Sequence, residues 1–257
     1  MNYLTVTEAR AASGLRLVLS IGVPGPWGEA AKNIFHVKGL EYSPVAQYPG
    51  MPNEELVAWT GHANAPIAIH GDEAPRSGWA EILFLAERLA PQPQLIPDDA
   101  AERALMFGLS HEICGENGFG WARRLMLIDA LQRPEAGEVG RRAGEVLGAR
   151  YGCSKDAAAA APARVASLLA LLAGQLEKQK AAGSEFLVGN ALSAADLYWA
   201  SFAVLLEPLP CELCPMPDYL RGWYTNVGPV VAAALDLMLL AHRDRIYRGH
   251  LELPMSF

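Results

Sequence analysis

Cys211-Glu212-Leu213-Cys214 has the spacing of a redox or metal pair. A redox pair sits after a strand at a helix N-terminus, where its thiolate is favoured. This one lies between Pro210 and Pro215, in a stretch with no strand signal. A zinc site needs four ligands, and no second Cys/His pair has matching spacing, so no metal is expected. A structural role is favoured for both thiols over thiol oxidoreductase chemistry. His111, Glu112 and Cys114 fall within one helical turn, which suits either a ligand set or a cleft-lining or core role. Asp98, Asp99 and Glu102 read as helix-start acids. Ser193-Ala194-Ala195-Asp196 has the form of a capping box, in which hydroxyl and carboxylate serve each other's amides. Leu192 and Leu197 are placed to staple it.

These groups must be carried by elements that the hydrophobic pattern reveals. Leu15 to Ile21 is aliphatic, bounded by Gly14 and Gly22, and reads as a buried strand. The loop Val23-Pro24-Gly25-Pro26 follows, and Pro26 suits the first turn of a helix running from Trp27 to Val37. Glu41 to Gln47 is a second strand. Ile67-Ala68-Ile69 is a third, entered through Pro66, and His70 to Glu73 turns into a hairpin partner. Ser77 to Leu89 is a helix with Ile82, Leu85, Ala86 and Leu89 on one face. The order is that of a small mixed α/β unit. A proline-rich seam, Ala90 to Pro97, then intervenes. Beyond it, Ala100 to Leu131 is helical, with Gly115, Gly118 and Gly120 as possible breaks. Glu135 to Arg150 and Pro162 to Ala181 are further helices. The last of these has the core repeat Val165, Leu168, Leu169, Leu172, Leu176. Ala157 to Ala161 reads as a surface helix start.

A chain of 257 residues, half of them hydrophobic, can bury one large or two modest cores. Its net charge of −7 argues against nucleic acid or an anionic membrane as main partner. No apolar run approaches the roughly 20 residues that span a bilayer. The N-terminus lacks the basic-then-apolar pattern of a signal peptide. Four cysteines in a chain this long do not form a disulfide scaffold, so a reducing cytoplasm is the expected compartment.

Taken together, Ala65-Pro66, Arg76-Ser77, the seam and the run Phe186 to Asp196 resemble the cytosolic glutathione S-transferase superfamily. The glycine-then-Ser-x-x-Asp run is the most specific piece. Pro217 to Tyr224, with Pro229 after it, resembles the family's penultimate helix. The resemblance spans about Leu15 to Leu237. It implies a thioredoxin-like, glutathione-binding domain over 1–90, a proline-rich linker over 91–98 and an all-helical domain over 99–257, including a tail from His242. It also implies glutathione as co-substrate or ligand, a small hydrophobic electrophile as partner, and a homodimer.

By the same resemblance, Pro66 is cis and Ala65 offers its backbone to the cysteinyl unit of glutathione. Ser77 would donate to the γ-glutamyl carboxylate, or serve only as an N-cap. Arg76 stands where an acidic residue is usual and would repel the ligand's amino group. Trp27 would line the glutathione site. Cys114, Phe119, Trp121 and Arg124 would line the second-substrate cleft, with Arg123 or Arg124 meeting an anionic group; the alternative for this run is a kinked helix with a solvated basic end. The main departure is Gly25-Pro26-Trp27, with Lys32 downstream. Gly25 occupies the place of the catalytic Ser or Cys and has no side chain to hold sulfur. Ser20 sits inside the strand, and Tyr3 is too far upstream to count on. A free thiol of pKa about 8.5 is only about 3 % thiolate at pH 7. Lowering that pKa by two units takes about 2.7 kcal/mol, part of which the amides and dipole at the start of the first long helix can supply. Two activities remain: transfer of glutathione to an electrophile, or binding without catalysis.

Overall fold

The computed structural model describes residues 1–257. Strand β1 (Leu15–Ser20) is central. It runs parallel to β2 (Ser43–Gln47), with Val18 opposite Val45, and antiparallel to β3 (Ile67–His70), with Val18 opposite Ile67. Helix α2 (Pro26–Val37) makes the crossover that a parallel pair requires. Side chains alternate across the sheet. Leu15, Leu17 and Leu19 pack with Ile34, Phe35, Ile82 and Leu85 of α2 and α4 (Trp79–Leu89). Val18, Val45, Ile67 and Ile69 form a smaller core with Ala9 and Leu56, from α1 (Val6–Ala11) and α3 (Glu54–Thr60).

Helices α1 and α3 are too short for a periodic signal, although Thr5-x-x-Glu8 is a legible capping box that forms as written. The expected hairpin partner of β3 shrinks to one bridge between Ala68 and Arg76. Pro75 precedes it and has no N–H to extend the ladder. Helix α4 starts two residues later than expected. Gly78 is its N-cap, and the Glu81 carboxylate accepts from the Gly78 N–H at 2.8 Å.

The helical half comprises α5 (Ala100–Cys114), α6 (Phe119–Gln132), α7 (Gly137–Tyr151), α8 (Lys155–Ala181), α9 (Ala194–Phe202), α10 (Asp218–Thr225), α11 (Gly228–Ala234) and α12 (Leu237–His250). Gly115 to Gly118 separates α5 from α6. Helix α8 begins at Lys155, not at Pro162, because Ser154 caps it and alanine sustains the helix through the proline. The alanines also make α8 long and apolar enough, by length and composition, to cross a bilayer, whereas the sequence pattern gave no such run. Its Val165, Leu168, Leu169, Leu172 and Leu176 lie in the main core.

That core is continuous between the two halves. Helix α9 is buried along its whole length and packs on α2, α5 and α12. Asn33 Nδ2 donates to Ser201 Oγ at 2.9 Å, and the Tyr198 hydroxyl donates to the Trp79 carbonyl at 3.0 Å. The cis bond at Ala65-Pro66 is present. The tail expected from His242 is helical as far as His250, and only the last seven residues follow α12; there Met255 N–H donates to the Leu213 carbonyl at 2.8 Å, and Lys32 Nζ of α2 donates to the Ser256 carbonyl.

The carboxylate half of the capping box at Ser193/Asp196 forms, while the Asp196 N–H bonds the Ser193 carbonyl at 3.1 Å and not its hydroxyl, and the structure adds further partners. One Asp196 oxygen accepts from Ser193 N–H at 3.0 Å and from its hydroxyl at 2.8 Å. The other accepts from Leu187 N–H at 2.8 Å and lies 2.9 Å from His242 Nε2 on α12. Asp196 is fully buried. Replacing it with Ala strands several buried polar groups, each costing about 1–3 kcal/mol. Asp196→Ala should therefore lose about 3 kcal/mol or more in urea unfolding, beyond the ~1 kcal/mol of an ordinary cap. An unchanged unfolding midpoint would contradict this account.

Candidate functional site

The site is built on the start of α2. Pro26 occupies the first helical position and Gly25 the N-cap, with φ −67° and ψ 120°. No group of the chain accepts from the N–H of Trp27 or of Gly28, so the helix end offers free donors and a positive dipole. Trp27 itself is held firmly. Its indole N–H donates to the Cys114 carbonyl at 2.9 Å, and its ring meets Phe202 edge-on at 4.8 Å. Gly120 makes this approach possible, because a Cβ there would collide with the Phe202 ring.

A cavity of about 320 Å³ opens between this helix start and the helical half. Gly25, Pro26, Trp27, Gly28, Gln47, Asn64 and Ala65 form one wall. Leu127, Ile128 and Leu131 of α6, Leu147 of α7, and Leu220 and Trp223 of α10 give the other an apolar surface. Arg124 enters from α6, its guanidinium 3.9 Å from the Trp27 ring centroid and 4.2 Å from that of Tyr151. Burial pushes its pKa below the usual arginine value. Arg150 of α7 donates from Nη1 to Asn64 Oδ1 at 3.2 Å. Neither the N–H nor the carbonyl of Ala65 is bonded within the chain, so that backbone is free to pair with an extended ligand.

Of the residues singled out in the sequence, Gly25, Trp27, Ala65 and Arg124 meet at this cavity. Pro66 is buried behind Ala65. Three others do not reach the cleft. Phe119 is fully buried against Trp199, at 5.4 Å between ring centroids, and Cys114 is buried, with its thiol pKa pushed well up. Trp121 stacks edge-on against Tyr151 and stands behind the wall. Arg123 and Arg124 diverge because successive helical side chains point about 100° apart. Arg123 is fully buried and clamps two carbonyls, of Leu205 at 3.0 Å and of Tyr224 at 3.1 Å. Ser77 is not a cap, and no group of the chain bonds its hydroxyl. Arg76 is engaged by Glu73 at 2.7 Å, so it is not a free cation.

Ser20 lines the cavity, but its hydroxyl donates to Gln47 Oε1 at 2.7 Å. Lys32 pairs with Glu29 at 3.0 Å, where burial raises the Glu29 pKa despite the pairing. Cys214 is buried and its thiol is pushed up to about 11, the reverse of what a redox nucleophile needs. Glu29, Gln47, Asn64, Arg150, Tyr151 and Trp223 also line the cavity without having been singled out for it, and Tyr3, set aside as too far upstream, reaches it as well. Tyr3 is the instructive one. A bridge between Leu4 and Val45 adds the N-terminal segment to the sheet edge and carries Tyr3 to the cavity, its hydroxyl buried without a partner. The Thr5/Glu8 box was the available signal that this segment is ordered.

No protein-family model and no curated protein sequence matches the chain. Solved structures do. A glutathione S-transferase from Methylobacterium radiotolerans, in complex with glutathione sulfonate, superposes with a TM-score of 0.62 at 18 % identity, covering 91 % of each chain. Rice GST1 in complex with glutathione gives 0.61 at 19 % identity, over 95 % of this chain and 93 % of that one. A beta-etherase from Sphingobium gives 0.58 at 18 % identity, over 86 % and 98 %. The chain therefore has the fold of the cytosolic glutathione S-transferases, a thioredoxin-like unit followed by a helical one.

Glu73 gathers Arg88, His70 and Arg76, whose hydrogen bonds hold its carboxyl down at about 2. A folded-state pKa below the unfolded one adds stability above the unfolded value, and that stability is lost as pH falls through the folded value. The stability gap between wild type and Glu73→Gln should be constant near neutrality and close between about pH 4.3 and about pH 2. A gap that does not change with pH in urea titrations would refute the assignment.

Proposed function

We propose that the protein binds glutathione along the start of α2 and the Ala65 backbone, and transfers its sulfur to a small apolar electrophile. One observation carries this reading: the unbonded N–H groups of Trp27 and Gly28 and the unbonded Ala65 backbone open on the same cavity. Helix-end amides favour the thiolate over the thiol. The thiolate forms its bond to the electrophilic carbon, and the leaving group departs with the electrons of the broken bond; the thiol proton goes to solvent. The apolar wall of α6, α7 and α10 holds the electrophile beside the sulfur, which raises the rate by proximity. The four free cysteines suit a reducing cytoplasm.

Gly25 favours a second reading, a glutathione-binding protein that does not catalyse transfer, because nothing in its place donates to sulfur. Calorimetric titration with glutathione, followed by assay on a generic electrophile, separates the two. Turnover supports the transferase, binding alone supports the second reading, and no binding refutes both. A serine fits at this position: the Gly25 backbone angles are ordinary and a Cβ there meets nothing within 4 Å. Gly25→Ser should fold as wild type and lower the bound thiol's pKa by about one unit, since a hydroxyl donor favours the anion. Thiolate absorbance at neutral pH reads this directly. No change in a folded mutant would mean that the amides alone set the thiol's pKa.

The same reading pairs two copies of the chain. Phe84 of α4 is 47 % exposed and Leu105 of α5 is 40 % exposed, and Phe84 stacks on Phe107 at 5.5 Å. This apolar patch crosses both halves, as a two-fold interface between unlike domains requires. Sedimentation at micromolar concentration should show a dimer, and Phe84→Glu should reduce it to a single 27.7 kDa species. A wild-type monomer would overturn this assembly.

A further inference from the structure

Arg124 and Arg150 both line the cavity, and neither has an acidic partner anywhere in the chain. Glu29 is the one carboxylate on the cavity wall, and Lys32 holds both of its oxygens at 3.0 Å. The cleft therefore presents two uncompensated guanidinium groups in a protein whose net charge is −7. Arg124 is the more unusual. Its guanidinium carbon lies over the rings of Trp27 and Tyr151, at 3.9 and 4.2 Å, and none of its N–H groups donates to the chain. Held by rings and not by acceptors, it keeps its N–H donors unspent, in the planar fork that matches a carboxylate or sulfonate. A desolvated cation without a partner is costly, and an anionic ligand recovers that cost. The rest of the wall is apolar, with Leu127, Ile128, Leu131 and Trp223.

We propose that the second substrate is an apolar or aromatic molecule bearing a carboxylate or sulfonate, and that Arg124, assisted by Arg150, receives the anionic group while the α6 and α10 side chains hold the apolar body. This narrows the electrophile of the transferase reading and rests on it for the chemistry that follows binding. The binding itself is tested without glutathione.

The probes are phenylpropionate and its neutral counterpart phenylpropionamide, followed by quenching of tryptophan fluorescence, since Trp27 and Trp223 line the cavity. Wild type should bind the acid about tenfold or more tightly than the amide, as a charge-assisted contact implies. Arg124→Met should abolish that preference while leaving amide affinity within about threefold, and Arg124→Lys should restore part of it. Arg150 is exposed, so Arg150→Gln carries little risk to the fold and should lower the preference by a smaller factor. Equal binding of acid and amide by wild type, no binding of either, or a preference that survives both substitutions overturns the proposal. Glutathione affinity is measured in parallel. If Arg124→Met weakens glutathione and spares the acid preference, the arginine belongs to the glutathione site and the proposal fails. If wild type prefers the acid but binds no glutathione, the proposal stands and the transferase reading falls.

Discussion

The buried carboxylate of Asp196 is the constraint on which the rest of the molecule is arranged. It satisfies the start of α9, the turn at Leu187 and a histidine on α12 at once. A fully buried acid is tolerated only when its oxygens are saturated with partners, so those three pieces of chain have little freedom relative to one another. Helix α9 in turn is the helix against which α2 packs, through Asn33, Ser201 and the Trp27–Phe202 contact. The position of the α2 N-terminus, and so of the free amides at Trp27 and Gly28, is set from the middle of the helical half. The loop before α2 itself does little to place it.

This explains how a loop whose residue 25 has no side chain is held in place. Pro26 sets its exit, Trp27 is bonded to the Cys114 carbonyl, and the tail ties down the far side of α2 through Lys32. Gly25 is not needed for its conformational freedom, since its angles are open to any residue. Residue 25 brings no side chain to the cleft, and what the cleft holds is positive charge: a helix end on one wall and two arginines on the other. Both favour an anion, but at different places, the amides where a thiolate would sit and the arginines where a second molecule would.

The two halves do not form separate cores. A single cluster runs from Leu15 in the sheet to Met255 in the tail. The cleft has a floor made by the end of β1 and the start of α2, and rims that belong to different elements: the Asn64 turn, α7 and α10. The Arg124 and Arg150 contacts to Trp27 and Asn64 cross that cleft and are among the few links between its rims.

The sequence alone determined the three strands, most of the long helices, the break between α5 and α6 and the acid that caps α9, because each rests on local pattern: a hydrophobic period, a glycine or proline, or a hydroxyl and acid three residues apart. It also showed that position 25 carries no side chain, which is a matter of residue type. Only the tertiary structure decided which side chains share the cavity. Arg123 and Arg124 are alike in sequence, yet helical rotation buries one on carbonyls and delivers the other to the rings of Trp27 and Tyr151. Phe119 and Trp121 looked like wall residues, but packing against Trp199 and Tyr151 took them out of the cleft. Tyr3, Asn64 and Arg150 arrive from segments far apart in the chain, and no local pattern records their meeting. Periodicity reports which face of an element is buried; what that face meets depends on how the elements cross, and that follows from the packing of the whole core.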